Sequence, residues 1–400
     1  MSLFAHQKST LTPRWYGKAT KSFINRLQKY VLPRHGCRDF ISYSPRPDVF
    51  GTRKSRELIR LLVMTLDPLE DRELLLKLLY ISKDTHREAE KILYRNLGFG
   101  LDMEQHRALL NTLVQNPRLA RLVCKYEFRI INRPKDFLAE DLLLFRASLP
   151  LMVNLQVFRF TSSHTQSFAS TILGSINSQL HSLYWRGCDL DERYLREFLT
   201  HQISMTKLDI IWNDERAPPP RAVPYLRTLI GGTNTIKAFL PGRLISRVYW
   251  CSDSKDGSEK LMDAYHVLPA FKNVRTLSLD GHSLNVLISR LAPYLTSLEV
   301  LELKTRTGKD LPGDVHLLPK LRTLVLSKSD DCVFPAIRGS RQAVVNTILS
   351  QNHRIDRIDI AVWNPIQVRA DWNNYYYRWT RQHPSYVILS AEDALLWKRC

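Results

Sequence analysis

The sequence is poor in the residues that build catalytic or covalent sites. It has only 15 glycines in 400 residues, and the one adjacent pair, Gly231-Gly232, stands where a repeat strand ends and a turn is expected. No G-x-x-x-x-G-K-S/T, G-x-G-x-x-G or G-x-S-x-G occurs, so neither a phosphate cradle nor a nucleophile elbow is written into the chain. Six cysteines, Cys37, Cys124, Cys188, Cys251, Cys332 and Cys400, lie far apart without a C-x-x-C pair. That spacing suggests neither a disulfide framework nor a zinc cluster. The 12 histidines are scattered and none falls in an H-E-x-x-H; one H-x-E occurs, His86-Arg87-Glu88, but without the C-x-x-C that a zinc site of that kind needs. No Asn-x-Ser/Thr sequon appears, no signal-peptide core follows Met1, and no apolar run approaches the roughly 18 residues of a membrane span. The chain is therefore expected to be a non-enzymatic protein without cofactor, metal or membrane, cytoplasmic or nuclear in location.

Acidic residues are scarce at the beginning. Residues 1–60 carry 13 Lys/Arg against three acids (Asp39, Asp48 and Glu57), a net +10 out of +19 for the whole chain. Three readings of this stretch stay open. It is a solvated basic arm, an organelle presequence with a short amphipathic helix around Phe23–Val31, or a segment attracted to phosphate.

What the chain does have is a recurring phrase. Leu180-His-Ser-Leu183-Tyr-Trp185-Arg-Gly-Cys188-Asp-Leu190 fits the leucine-rich-repeat pattern L-x-x-L-x-L-x-x-N/C-x-L, with Trp185 in place of one Leu. Its core, apolar-x-x-apolar-x-apolar, starts again at Leu155, Met205, Leu226, Ile245, Val274, Leu298, Leu321 and Ile355. Successive starts are 25, 25, 21, 19, 29, 24, 23 and 34 residues apart, mostly within the ~20–29-residue period of such repeats. Alternation along a strand sends the fourth and sixth positions to one side and the third, fifth and seventh to the other. Stacking the phrases predicts a parallel sheet with a continuous inward core. Helical stripes should cover that core: Phe168, Ile172, Leu173 and Ile176; Tyr194, Leu195, Phe198 and Leu199 behind an Asp189-x-x-Glu192 start resembling a capping box; Leu287, Ile288, Leu291 and Leu295; and Val344, Val345, Ile348 and Leu349.

Ahead of the repeats, residues 56–97 read as three short helices. Their apolar faces are Leu58, Ile59, Leu62 and Leu66, ended by Asp67-Pro68; then Leu74, Leu75, Leu78 and Leu79; then Ala89, Ile92, Leu93 and Leu97. With Glu57-Leu58-Ile59, Leu66-Asp67-Pro68, Ile81-Ser82-Lys83 and Leu93-Tyr94-Arg95, and with the repeats downstream, the chain resembles a divergent F-box protein with C-terminal leucine-rich repeats. Lys54-Ser55 stands where that family has Leu-Pro, and Asp84-Thr85-His86 where it has Trp. The resemblance implies a substrate-recruiting subunit of a cullin-type ubiquitin ligase. A Skp1-like adaptor would sit on Leu58, Ile59, Leu62, Leu66 and Pro68, and a target protein on the repeats. The alternative is a stand-alone repeat scaffold whose degenerate F-box binds no Skp1.

The expected fold is α/β: a leucine-rich-repeat solenoid, or horseshoe, behind a small helical F-box-like module. The expected division is a basic arm over 1–53, the module over 54–98, the solenoid over 99–363 and an aromatic cap over 364–400. A curved repeat array presents its strand face to partners. The candidate target-binding residues are therefore outward ones: Arg159, Tyr184, Arg186, Lys207, Asp209, Tyr249, Asp280, Glu302 and Lys304. Mixed charge signs there argue against a nucleic-acid groove, which needs a basic stripe. The aromatics after Trp363 are expected to shield the last repeat.

Overall fold

The computed structural model describes residues 53–67, 71–130, 139–162, 168–214, 216–251, 267–281, 284–305, 313–328, 338–361 and 375–398. The basic arm expected over 1–53 falls almost wholly outside them, as do Pro68, Trp363 and residues 371–374. The chain separates into two units, residues 1–59 and residues 60–400, and each is described by itself. No described helix is long and apolar enough to cross a membrane.

Every repeat phrase becomes a strand, each beginning two residues after the phrase starts. These are β3 (Val157–Ser162), β4 (Ser182–Arg186), β5 (Lys207–Ile210), β6 (Thr228–Gly231), β7 (Arg247–Cys251), β8 (Thr276–Gly281), β9 (Val300–Thr305), β10 (Thr323–Lys328) and β11 (Arg357–Ala361). They pair in parallel and in sequence order. Phe158, Leu183, Leu208, Leu229, Val248, Leu277, Leu301, Leu324 and Ile358, the fourth-position residues, line up side by side and are all buried. Each contributes roughly 1.5–3 kcal/mol of burial that one repeat alone has no partner to provide. Trp185 fits a Leu position because its indole N–H donates to Asp191 Oδ2 at 2.7 Å, so its polar atom is buried with a partner. Its ring stacks on Phe160 of the preceding strand, centroids 4.2 Å apart.

A second regularity runs along the N-terminal rim of the sheet. The carbonyl of each second-position residue accepts two amide hydrogens from the next unit. Thr206 O takes those of Arg227 and Thr228, Arg227 O those of Ser246 and Arg247, and Ser246 O those of Arg275 and Thr276. Both lone pairs of these carbonyls are thereby used.

The expected helical stripes cover the core. Phe168, Ile172, Leu173 and Ile176 are buried around the helix Ala169–Leu173, as are Leu287, Ile288, Leu291 and Leu295 around Leu284–Leu291. One start differs from expectation. Residues Asp189–Asp191 form a 3-10 turn, and the helix itself is Glu192–Thr200. The box is not Asp189/Glu192 but Cys188/Asp191 on the 3-10 turn, with Cys188 as the cap and Asp191 Oδ2 accepting its amide hydrogen at 3.1 Å. Asp191 also holds Trp185, so a buried tertiary hydrogen bond outweighs the local pattern.

The sheet is longer at both ends than the nine phrases. Before them lie β1 (Asn96–Leu97) and β2 (Lys125–Ile130), which pair in parallel with each other and with β3. Strand β2 is a repeat in aromatic form: Val123, Tyr126 and Phe128 occupy the first, fourth and sixth positions and are fully buried. After β11 the direction reverses. Strands β12 (Tyr375–Thr380) and β13 (His383–Ser390) add antiparallel, and Trp379 buries against the last repeat. The thirteen strands among the described residues form one sheet in chain order.

Helices Arg53–Met64, Arg72–Leu78 and Lys83–Arg95 stand where the sequence places three. The third starts with a reciprocal cap. Ser82 Oγ accepts the Thr85 amide hydrogen at 3.1 Å, and Thr85 Oγ1 accepts the Ser82 amide hydrogen at 2.9 Å. It is fixed to the first repeat by Arg118, which grips Glu90 through two bonds of 2.6 and 2.7 Å.

Candidate protein-binding surfaces

Third, fifth and seventh positions of the strands share the outward face, as alternation requires. Register places the fifth positions in one row across the sheet: Glu127, Arg159, Tyr184, Asp209, Ile230, Tyr249, Ser278, Glu302, Val325 and Asp359. Its N-terminal half is half-exposed from Arg159 to Ile230, behind a buried Glu127. Arg159 lies 3.6 Å from Glu127. Arg186 donates to Asp209 at 2.6 Å and lies 5.4 Å from the centre of the Tyr184 ring. Burial raises the Asp209 carboxyl, against the pull of Arg186, Lys207 and Arg159. Arg159, Tyr184, Arg186, Lys207 and Asp209 therefore form one half-exposed, mixed-charge surface, as the strand pattern implies.

The C-terminal half of the row is different. Glu302 is 0% exposed, which removes it from any free target-binding face. The segment after β13 crosses this part of the sheet and supplies its partners. Lys398 Nζ donates to Glu302 at 2.7 Å, while Ser278 and Ser327 each donate at 2.6 Å. Burial works to raise this carboxyl, but Lys398 and the two hydroxyls outweigh it and hold it below the usual range. Next to it the Trp397 ring stacks over Tyr249, centroids 6.2 Å apart and planes within 9° of parallel. Burial first, then Glu302, pushes the Tyr249 hydroxyl up to about 12. The corrections are thus Glu302 and Tyr249, both covered by the chain's own C-terminal segment. Asp280 and Lys304 are neighbours in register at the seventh position and half-buried. The C-terminal aromatics do more than cap the end, since Ala394 joins Val325 and Tyr376 in a small core on the outward face.

In the helical module the expected adaptor residues divide. Leu62 is half-buried on the helix Arg53–Met64, whereas Leu66 lies beyond its end and is buried, its amide donating to Val63 O at 3.1 Å. Ile59, on the same helix, is half-buried; the Leu58 side chain and Pro68 lie outside the described residues. The exposed apolar groups are others. Leu61 is 64% exposed, Tyr80 89% and Ile81 64%, with Met64 and Leu76 also exposed. The 3.6-residue period predicts which residues share a face, but not which face the neighbouring elements cover.

No protein-family model matches the chain, and no curated protein matches it. Among solved structures it is similar to a leucine-rich-repeat protein of Leptospira interrogans, at 16% identity and a TM-score of 0.31. That match covers 59% of this chain and 55% of the other, so it spans little more than half of the relative's length. The repeat character of this chain rests on its own pattern and strand register.

Proposed function

We propose that the chain is a non-catalytic recruiting subunit, an F-box/leucine-rich-repeat protein that brings a target to a cullin-type ubiquitin ligase. The helical module takes the Skp1-like adaptor and the repeat face takes the target. The observation that carries this reading is the apolar surface of the module: Leu61, Met64, Leu76, Tyr80 and Ile81 remain exposed within 21 consecutive residues. Apolar side chains concentrated on a surface mark docking sites for other proteins. The half-exposed part of the strand face, with Tyr184 and Arg186, supplies the residue types that dominate interface energetics.

A second reading has its own support. Leu66, Leu75 and Leu78 are buried, and the Glu90–Arg118 clamp ties the third helix to the first repeat. The module is then a cap for the open end of the solenoid, and the chain a stand-alone interaction scaffold. Co-purification decides between them. The full chain should retain a Skp1-type adaptor, and Leu61→Glu with Ile81→Glu should abolish retention without unfolding, because both side chains already face solvent. A wild-type chain that retains no adaptor leaves the scaffold reading. Tyr184→Ala with Arg186→Ala should weaken target capture while leaving the adaptor bound.

A further inference from the structure

A cleft opens along the N-terminal rim of the sheet, beside the outward face. It comprises two adjoining cavities of about 650 and 570 Å³ that share Tyr225, Arg227, Ser246 and Arg247. Arg275 and Glu299 lie at one end and His181 at the other. Its wall is built around one buried arginine. Arg243, 5% exposed, reaches the carbonyls of Phe239 (3.0 Å), Pro219 (2.9 Å), Ala222 (3.2 Å) and Pro218 (3.3 Å). This fixes the proline-rich loop against the end of the helix Thr233–Phe239. Tyr225 and Leu244 then stand at the rim, 66% and 76% exposed.

The chemistry of the cleft is one-sided. Arg227 and Arg247 have no carboxylate within salt-bridge distance among the described residues, and Arg275 has only Glu299, at 3.9 Å. The rim carbonyls of Thr206, Arg227, Ser246 and Arg275 are already each taken twice by the rim ladder. Lys207 stands on the same row as Arg247, two strands away. Burial, then Arg159 and also Arg247, depress its ammonium against the counter-pull of Asp209, as expected where positive charge is under-compensated. The site is rich in donors and short of acceptors.

We propose that this cleft binds a short extended peptide bearing oxyanion side chains, aspartate, glutamate or a phosphorylated residue, through Arg227, Arg247 and Arg275. Guanidinium forks match carboxylate and phosphate oxygens and form the stronger, charge-assisted hydrogen bonds. The span from β5 to β8 is about 14 Å at the usual strand spacing, which accommodates about four extended residues. Tyr225, Leu244 and Trp397 offer apolar contact to the flanking side chains. A nucleic-acid backbone fits less well, since Asp209, Asp280 and Glu299 interrupt the positive charge on the same side, and Asp356 does so again further along the rim beside Lys320, Arg322 and Arg354. Placing an acidic peptide here rests on reading the sheet as the target-binding half.

The test is fluorescence anisotropy on the full chain. Its probes are a labelled glutamate-rich peptide of about eight residues with leucine and tyrosine flanks, its phosphoserine version, its glutamine version, inorganic phosphate as competitor, and single-stranded DNA. The acidic or phosphorylated peptide should bind, weaken with salt, and lose at least about tenfold in affinity in Arg227→Ala/Arg247→Ala. Arg193→Ala/Arg290→Ala, on the helical side, should not change it. Stronger binding of the phosphoserine version assigns phosphate as the group; equal binding assigns carboxylate. Should the double variant not fold, Arg227→Glu at an exposed position carries the same expectation. The proposal is overturned if the glutamine peptide binds equally, if no peptide binds, if the variants bind as wild type, or if DNA competes better than the peptide through the same arginines. Adaptor co-purification is unaffected by any of these outcomes, so failure of this site and failure of the recruiting reading are separable.

Discussion

Acidification should loosen the N-terminal end of the solenoid through one side chain, His106. It lies on the helix Met103–Gln115, is 1% exposed, faces the Tyr126 hydroxyl at 3.2 Å and meets the Phe128 ring edge-on at 4.8 Å. Burial lowers the pKa of the imidazole to about 4, with Asp102 opposing, against an ordinary 6.5. Between those values the unfolded chain binds a proton that the folded chain refuses. Stability is therefore intact above about pH 6.5 and falls as pH drops towards about 4. The full gap is worth about 3 kcal/mol, of which about 2 kcal/mol has been lost at pH 5. Because a repeat array need not unfold as one unit, the assay is hydrogen exchange of the amides in Met103–Gln115 at about pH 8 and pH 5, corrected for intrinsic rates. His106→Gln keeps a polar group beside Tyr126 and removes the titration, so its protection should lose about 2 kcal/mol less over that interval than wild type. Equal pH dependence in the two proteins, or a His106 resonance titrating near its ordinary value, refutes the reasoning.

Other perturbations have equally definite outcomes. Leu277→Ala or Leu301→Ala, at fully buried fourth positions, should each destabilise the chain by roughly 2–5 kcal/mol in urea titration. Lys398→Met should leave Glu302 buried without its cation and cost about 3 kcal/mol, the low end for a broken buried pair because Lys398 is 28% exposed; exchange in residues 391–398 reports it. Gly98 has φ +92° and an added Cβ would lie 1.8 Å from Glu127 O, so Gly98→Ala should dislodge β1 from β2 and remove exchange protection there. Arg243→Lys should destabilise as well, because a single ammonium cannot reach the set of carbonyls that the guanidinium spans; near-wild-type melting would count against that network.

The repeat phrases by themselves determined the architecture. The apolar-x-x-apolar-x-apolar spacing fixes which side chains face inward and where each strand begins, because side-chain alternation is a local property of an extended chain. Repetition of the phrase fixes the parallel order, because each unit finds its missing core in the next. Strand β2 carries the same apolar spacing at Val123, Tyr126 and Phe128, but it stands 32 residues ahead of Leu155, beyond the usual repeat period, so the periodicity does not reach it. Tertiary structure alone decided which outward residues are free. Glu302 and Arg159 occupy equivalent fifth positions, yet one is sealed by Lys398 from 96 residues further along the chain and the other faces solvent. The same holds for the rim cleft, whose wall depends on Arg243 bonding carbonyls up to 25 residues away. Periodicity records direction relative to a strand or helix; coverage depends on contacts between distant segments, and no local spacing encodes those.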